Sequence, residues 1–315
     1  MKKILSTFCL SCLVVIFLFP ADGIAQSAGT GEINWVHGYI SVTGQGAAVR
    51  GSLAQARPLA RRAAVSDAQR NLLEIIKGVK IDSTTTVENF VVTSDVIQSH
   101  VNGLVKGAHV VKGTEKYEPQ PDGSVLATLE MRVCIMGNCG ASRVSLVQAL
   151  GIDRIKPPAY IPPPAPPVSP APPPPPVAQQ VAPVAPPPPP KAYPFDQTKP
   201  VTGLVINLEG HLYERVLLPV VVVEDQGSGL FTVYCAKNVR PAVVRTFGAV
   251  RYADTVEQAM HVHKQIGSNV LVIPASSITR ENMIVIRTTD RRLISETTSH
   301  GNDYLAEAKV VIVNQ

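Results

Sequence analysis

The sequence predicts an α+β fold: a small strand-helix-hairpin domain with a long alanine-rich helix on a sheet, a Pro-rich linker, then a second α+β or mainly β domain. Three observations carry this. From Ser52 to Lys77, Ala56, Ala60, Ala64, Ala68, Leu72 and Ile76 recur every fourth residue, the period of an amphipathic helix. Val125, Ala127, Leu129, Met131 and Val133 alternate along Ser124–Cys134, the period of a half-buried strand. Between Pro157 and Pro190, nineteen of 34 residues are proline, which splits the chain in two. The expected organisation is residues 1–25 as a signal peptide, 33–150 as the first α+β domain, 157–192 as the linker and 198–315 as the C-terminal α+β domain.

At 315 residues the chain is long enough for two domains with their own cores. The formal charge is +5 and the arginines are scattered. A nucleic-acid protein concentrates its basic residues, so no nucleic-acid partner is expected.

Lys2 and Lys3 precede the apolar run Ile4–Phe19, and Gly23-Ile24-Ala25 offers small residues for signal peptidase. Cleavage is expected after Ala25. A retained anchor is the competing reading, and the shortness of the run weighs against it. Cys12 follows Leu10-Ser11, but the apolar run continues well past it. Cys9 and Cys12 therefore belong to the discarded peptide, not to a lipidated terminus. The mature chain keeps Cys134, Cys139 and Cys235. In an oxidising compartment Cys134 and Cys139 could close a small loop, against the alternative of two independent thiols. Cys235 lies in an apolar run and reads as a small buried hydrophobe.

Ile33–Thr43 is β-prone and reads as the first strand. Gly44, Gly46 and Gly51 read as turn geometry leading into the long helix, since they lack the phosphate-loop pattern. Pro58 either opens the regular helix or kinks it, and Gly78 is its stop. Thr84–Thr86 disfavour helix. Ser94-Asp95 caps a shorter helix to about Val101, with Val96, Ile97 and Val101 as its apolar set. Gly103–Lys112 reads as a strand, which Gly113–Tyr117 continues. Pro119–Gly123 is a turn with Asp122-Gly123 at its tip. Residues 144–150 form a trailing helix.

The proline stretch favours the polyproline II form. A spacer is the favoured reading, and a docking track is the alternative. Beyond it, Thr202–Leu208 is a strand. Val216–Val223 is another, and Pro219 within it suggests an edge or a bulge. Phe231–Cys235 and Ala242–Tyr252 are β-prone. Asp254–Glu257 opens a helix to about His263. Val270–Pro274 and Met283–Arg287 are strand-like, Asp290–Ile294 is a brief helical turn, and Leu305–Val313 is the last strand.

Seven histidines are present: His37, His100, His109, His211, His261, His263 and His300. Only His261 and His263 are close, and on a helix they point to different faces. There is no H-E-x-x-H and no G-x-S-x-G. No catalytic residue, cofactor or metal is therefore expected, and a binding or assembly role is favoured over an enzyme.

The stretch ARRAAVSDAQRNLLEIIKGVKIDSTTTVENF, followed by GLVKGAHVV, resembles the lipoprotein-20 family. That family includes flagellar basal-disk lipoproteins and is similar to the N-terminal domain of a flagellar outer-ring assembly protein. Ala60, Ala63, Ala64, Asp67, Ala68, Arg70, Asn71 and Leu72 match its helix. Gly78 and Val79 match the helix exit, and Gly103 and Gly107 the spacing before its second strand. Thr202–Ile206 resembles the opening of the second domain of larger members. The resemblance implies an envelope protein that associates with itself or with envelope partners around a motility or secretion complex near the outer membrane. It implies no catalysis. The chain departs from the family in lacking a lipidated cysteine, so outer-membrane association would be indirect. Periplasmic localisation follows from the cleaved signal. The alternative function is a periplasmic small-ligand binder or enzyme using the C-terminal domain, with His211, Glu214, His261 and His263 as its polar residues.

Overall fold

A computed structural model describes residues 31–49, 52–152, 195–225, 229–298 and 303–314. The expected signal peptide, with Cys9 and Cys12, lies outside them, as do the expected linker and His300.

The first unit contains β1 (Gly31–Asn34), β2 (Tyr39–Ala48), α1 (Leu53–Gly78), α2 (Val87–Val91), α3 (Asp95–Lys106), β3 (His109–Val110), β4 (Lys116–Pro119), β5 (Val125–Cys134) and α4 (Leu146–Leu150). Its antiparallel sheet has the order β1-β2-β5-β3, with β4 also paired to β5. Helix α1 covers one face. Ala56, Ala60, Ala64, Ala68, Leu72 and Ile76 are all buried, as are the five alternating residues of β5. Pro58 sits inside α1 instead of opening it and forfeits one intrahelical bond.

The expected first strand is instead a hairpin, turning at Trp35–Gly38, where the His37 N–H donates to Asn34 Oδ1 at 2.9 Å. Gly44 and Gly46 lie within β2 and not in a connection. A Cβ on Gly44 would stand 2.6 Å from the Ala68 nitrogen, and one on Gly46 would stand 2.6 Å from the Ala63 carbonyl carbon. Glycine on the strand and alanine on the helix thus let two backbones approach where larger residues could not. Beyond the end of β1, α1 also engages the β2 backbone. Asn71 Nδ2 donates to the Thr43 carbonyl at 3.0 Å, and the Gln45 N–H donates to Asp67 Oδ2 at 3.0 Å. Asp67 also pairs with Arg70, as their i,i+3 spacing suggests.

Two further boundaries in this unit differ from the sequence reading. Residues 103–106 belong to α3, because Leu104 and Val105 extend its buried stripe past Val101; Val96 is 64% exposed. The expected strand over 103–112 shrinks to β3. Helix α4 does not trail away. A reciprocal Ser145–Gln148 capping box starts it, and Leu146, Val147, Ala149 and Leu150 are buried.

The second unit contains β6 (Gly203–Asn207), β7 (Val221–Asp225), β8 (Gly229–Tyr234), α5 (Pro241–Phe247), β9 (Arg251–Ala253), α6 (Val256–Val262), β10 (Val270–Pro274), β11 (Ser277–Ile278), β12 (Ile284–Ile286), α7 (Thr288–Thr298) and β13 (Val310–Val313). One sheet is parallel, in the order β10-β6-β13-β9. The other is mixed, in the order β11-β12-β7-β8. The expected strand over Ala242–Tyr252 is α5 followed by β9. Pro241 at the first helical position presets the turn, and tertiary packing overrides the β-propensity of two valines. Pro219 lies before β7, which is paired on both sides and is no edge. The brief turn expected at Asp290–Ile294 is part of the longer α7, and only Val310–Val313 of the expected last strand is paired.

The two units are not held apart. A single apolar cluster runs from Ile40 and Leu72 through Leu146 and Leu150 to Leu217, Tyr252 and Ile312. The Leu217 and Leu218 N–H groups donate to the Lys80 and Ile81 carbonyls at 3.0 and 2.8 Å. Lys80 pairs with Glu214 across the seam. Trp35 meets Tyr252 edge to face, with ring centroids 5.4 Å apart. Among the described residues no helix is long and apolar enough to cross a membrane.

Candidate functional site at the seam

A cleft of about 440 Å3 opens where the β1–β2 turn and the loop after β5 face α5, β9 and the segment before β13. The first unit contributes Trp35, His37 and Met136, and the second contributes Phe247, Arg251 and Lys309.

The loop after β5 is fixed by Cys134 and Cys139, which are disulfide-bonded with Cα atoms 5.5 Å apart. The Cys134 N–H donates to Ser142 Oγ at 3.0 Å. Gly137 takes a φ of 63°, the left-handed turn the short loop needs. Met136 is thereby buried against the second unit, and its Sδ lies 3.2 Å from Arg251 Nη1. Cys235, by contrast, is a buried free thiol.

Arg251 is the first residue of β9 and is partly buried at the cleft floor. Its Nη1 donates to the Phe247 and Val250 carbonyls, and its guanidinium lies 5.8 Å from the Phe247 ring centroid. Burial pushes its pKa down to about 10, so it remains charged at neutral pH. The next residue, Tyr252, is fully buried. Its hydroxyl donates to the Val216 carbonyl at 2.7 Å, and burial raises its pKa to about 12.

His263 also lines this cleft. It is buried, with Nε2 2.8 Å from the Tyr252 carbonyl, which can only accept, so the proton sits on Nε2. Burial lowers its pKa, outweighing the bond to Tyr252, and Arg251 and His37 push the same way. The other residues of the alternative reading are not gathered here. Glu214 lines a separate cavity with Lys80 and Arg215, while His211 and His261 line neither. A further groove of about 660 Å3, between α3 and α4, takes His100, His109 and Arg143. Among the described residues no group of three or more His, Cys, Asp or Glu side chains is placed to hold a metal ion.

Sequence reasoning found the disulfide but missed Arg251, Lys309 and Trp35. They come from distant segments, and no spacing links them. The sole tryptophan of the chain was the one available signal.

The fold is a two-domain α+β body with a long helix on an antiparallel sheet, joined to a unit built on two sheets. From the first residue of β6 to the end of the chain, residues 203–315 match the family model described as the second domain of Treponema pallidum Tp0624. No curated protein matches the chain.

Proposed function

We propose that the protein is a non-enzymatic, exported envelope protein that serves as an assembly or scaffold component of a motility or secretion apparatus near the outer membrane. The observation that carries this reading is the Cys134–Cys139 disulfide at the seam. Such a bond persists in an oxidising compartment, consistent with the apolar N-terminal run Ile4–Phe19. Here it braces the loop whose Met136 packs on the second unit, so both units act as one block. A block of this kind suits a structural part that transmits position. The resemblance of residues 33–134 to the lipoprotein-20 family supplies the apparatus. In this reading the protein associates with itself and with envelope partners, and reaches the outer membrane indirectly.

Sizing of the purified mature protein, paired with crosslinking in cells, tests the proposal. A ring-sized oligomer, or capture of flagellar, pilus or secretin components, is expected. A monomer at micromolar concentration that captures no envelope protein would overturn it. The alternative, a periplasmic small-ligand binder or enzyme, is less favoured because Glu214 and His263, two of its polar residues, lie in separate cavities.

A further inference from the structure

We propose that the cleft at the seam binds a small organic carboxylate with an apolar body, held through Arg251 and reinforced by Lys309. The argument begins with charge. Arg251 Nη1 is occupied by carbonyls, but Nε and Nη2 have no acceptor among the described residues. Among the described residues no carboxylate pairs with this guanidinium to offset the cost of burying it. A partly desolvated cation with free donors is a site that an anion completes, and the paired donors of a guanidinium suit a carboxylate.

The rest of the lining has the same polarity. Lys309, half-buried, has no ion pair among the described residues, and the exposed His37 ring lines the same cleft. The one acid on the wall, Glu307, is already paired with Arg240. His263 is held neutral, with its proton committed to the Tyr252 carbonyl. The remaining walls combine the apolar side chains of Trp35, Met136, Val243, Phe247 and Val262 with the amides of Asn138 and Gln265. Phosphate has no apolar part to cover the Trp35, Met136, Val243, Phe247 and Val262 side chains, whereas an aryl or alkyl carboxylate matches both the cationic and the apolar parts of the lining. The volume of about 440 Å3 falls within the range of small-molecule sites. The site takes residues from both units, so it exists only while the seam is closed. It does not depend on the scaffold reading.

Trp35 supplies the readout, because it lines the cleft and is the only tryptophan. The purified protein is titrated with 4-nitrophenylacetic acid, 4-nitrophenylacetamide and inorganic phosphate while Trp35 fluorescence is followed. N-acetyltryptophanamide controls for absorbed light. The acid should quench saturably and bind about tenfold or more tighter than the amide, with phosphate weaker than the acid by a similar factor. Arg251→Gln should remove about tenfold of that affinity, Arg251→Lys should retain part of it, and Lys309→Gln should weaken it a few-fold. Equal quenching by acid and amide, tighter binding of phosphate than of the acid, or wild-type affinity in folded Arg251→Gln would each overturn the proposal. Should Arg251→Gln fail to fold by circular dichroism, Lys309→Gln decides: unchanged discrimination between acid and amide would overturn it.

Discussion

The antiparallel sheet of the first unit and the parallel sheet of the second solve the same burial problem with opposite materials. In the first unit α1 meets β2 through Gly44, Gly46, Ala64 and Ala68, and the small side chains bring backbones together. In the second, the central strands β6 and β13 are filled by Leu204, Val205, Ile206, Val310, Val311, Ile312 and Val313, all buried. Successive residues of a strand point to opposite faces, so continuous burial means both faces are covered. The first region is limited by how close two backbones come, and the second by how well branched side chains fill space. Their tolerance to substitution should therefore differ in sign: the first suffers from added atoms, the second from removed ones.

The largest effect is expected from Gly46→Val. The added Cβ collides with the backbone of Ala63 and Ala64, which no rotamer relieves. Destabilisation of about 3 kcal/mol or more is expected, read by urea unfolding. A variant as stable as the parent would show that α1 can lift without cost. Ile312→Ala makes the converse test in the second unit. It should cost about 3 kcal/mol through the cavity it leaves. A negligible loss would mean the sheet collapses around the gap.

The disulfide sets a smaller scale. Its loop is short, with the cysteines five apart, so removing it should cost about 2 kcal/mol. Cys134→Ser/Cys139→Ser should also loosen the hold of Met136 on the second unit, exposing residues 135–140 to hydrogen exchange. Unchanged exchange there would confine the role of the disulfide to its own loop.

The smallest effect concerns His263. Its folded pKa lies below the ordinary 6.5, so above that value both states hold it neutral and it costs nothing. As pH falls below 6.5 the unfolded chain takes the proton first, and stability declines toward the lower folded value. Glu130 titrates in a separate window. Burial would raise its pKa, but the Ser41 and Arg132 hydrogen bonds outweigh that and lower it, so its contribution is present above 4.5 and is lost as pH falls below. A plot of Tm against pH should thus show an upper decline that His263→Gln abolishes and a lower one it leaves intact. An upper decline that survives in His263→Gln would assign it to another group.

What was readable in the sequence follows this division. Strand β5 alternates because one face is buried, and α1 repeats every fourth residue because one stripe is buried, so both could be read directly. Residues 216–223 and 242–252 carry runs of apolar residues without a period. There the reading extended strands over segments that fold as a seam contact and as α5. The glycines of β2 were read as a turn because a close approach leaves the same mark as a bend.

The sequence by itself determined the local periods, the start of α3 at Ser94-Asp95, the opening of α6 at Asp254–Glu257, the Cys134–Cys139 pairing as a short-range option, and the division into two patterned halves. Each depends on residues within a few turns of one another. Tertiary structure alone decided that the halves share one core, that Pro219 precedes a paired strand, and that Trp35, Arg251 and Lys309 meet in one cleft. These depend on contacts between residues more than 200 positions apart in the case of Trp35 and Tyr252. Such contacts form because closing the seam removes apolar surface from water, a force that is non-directional and leaves no periodic trace in the chain.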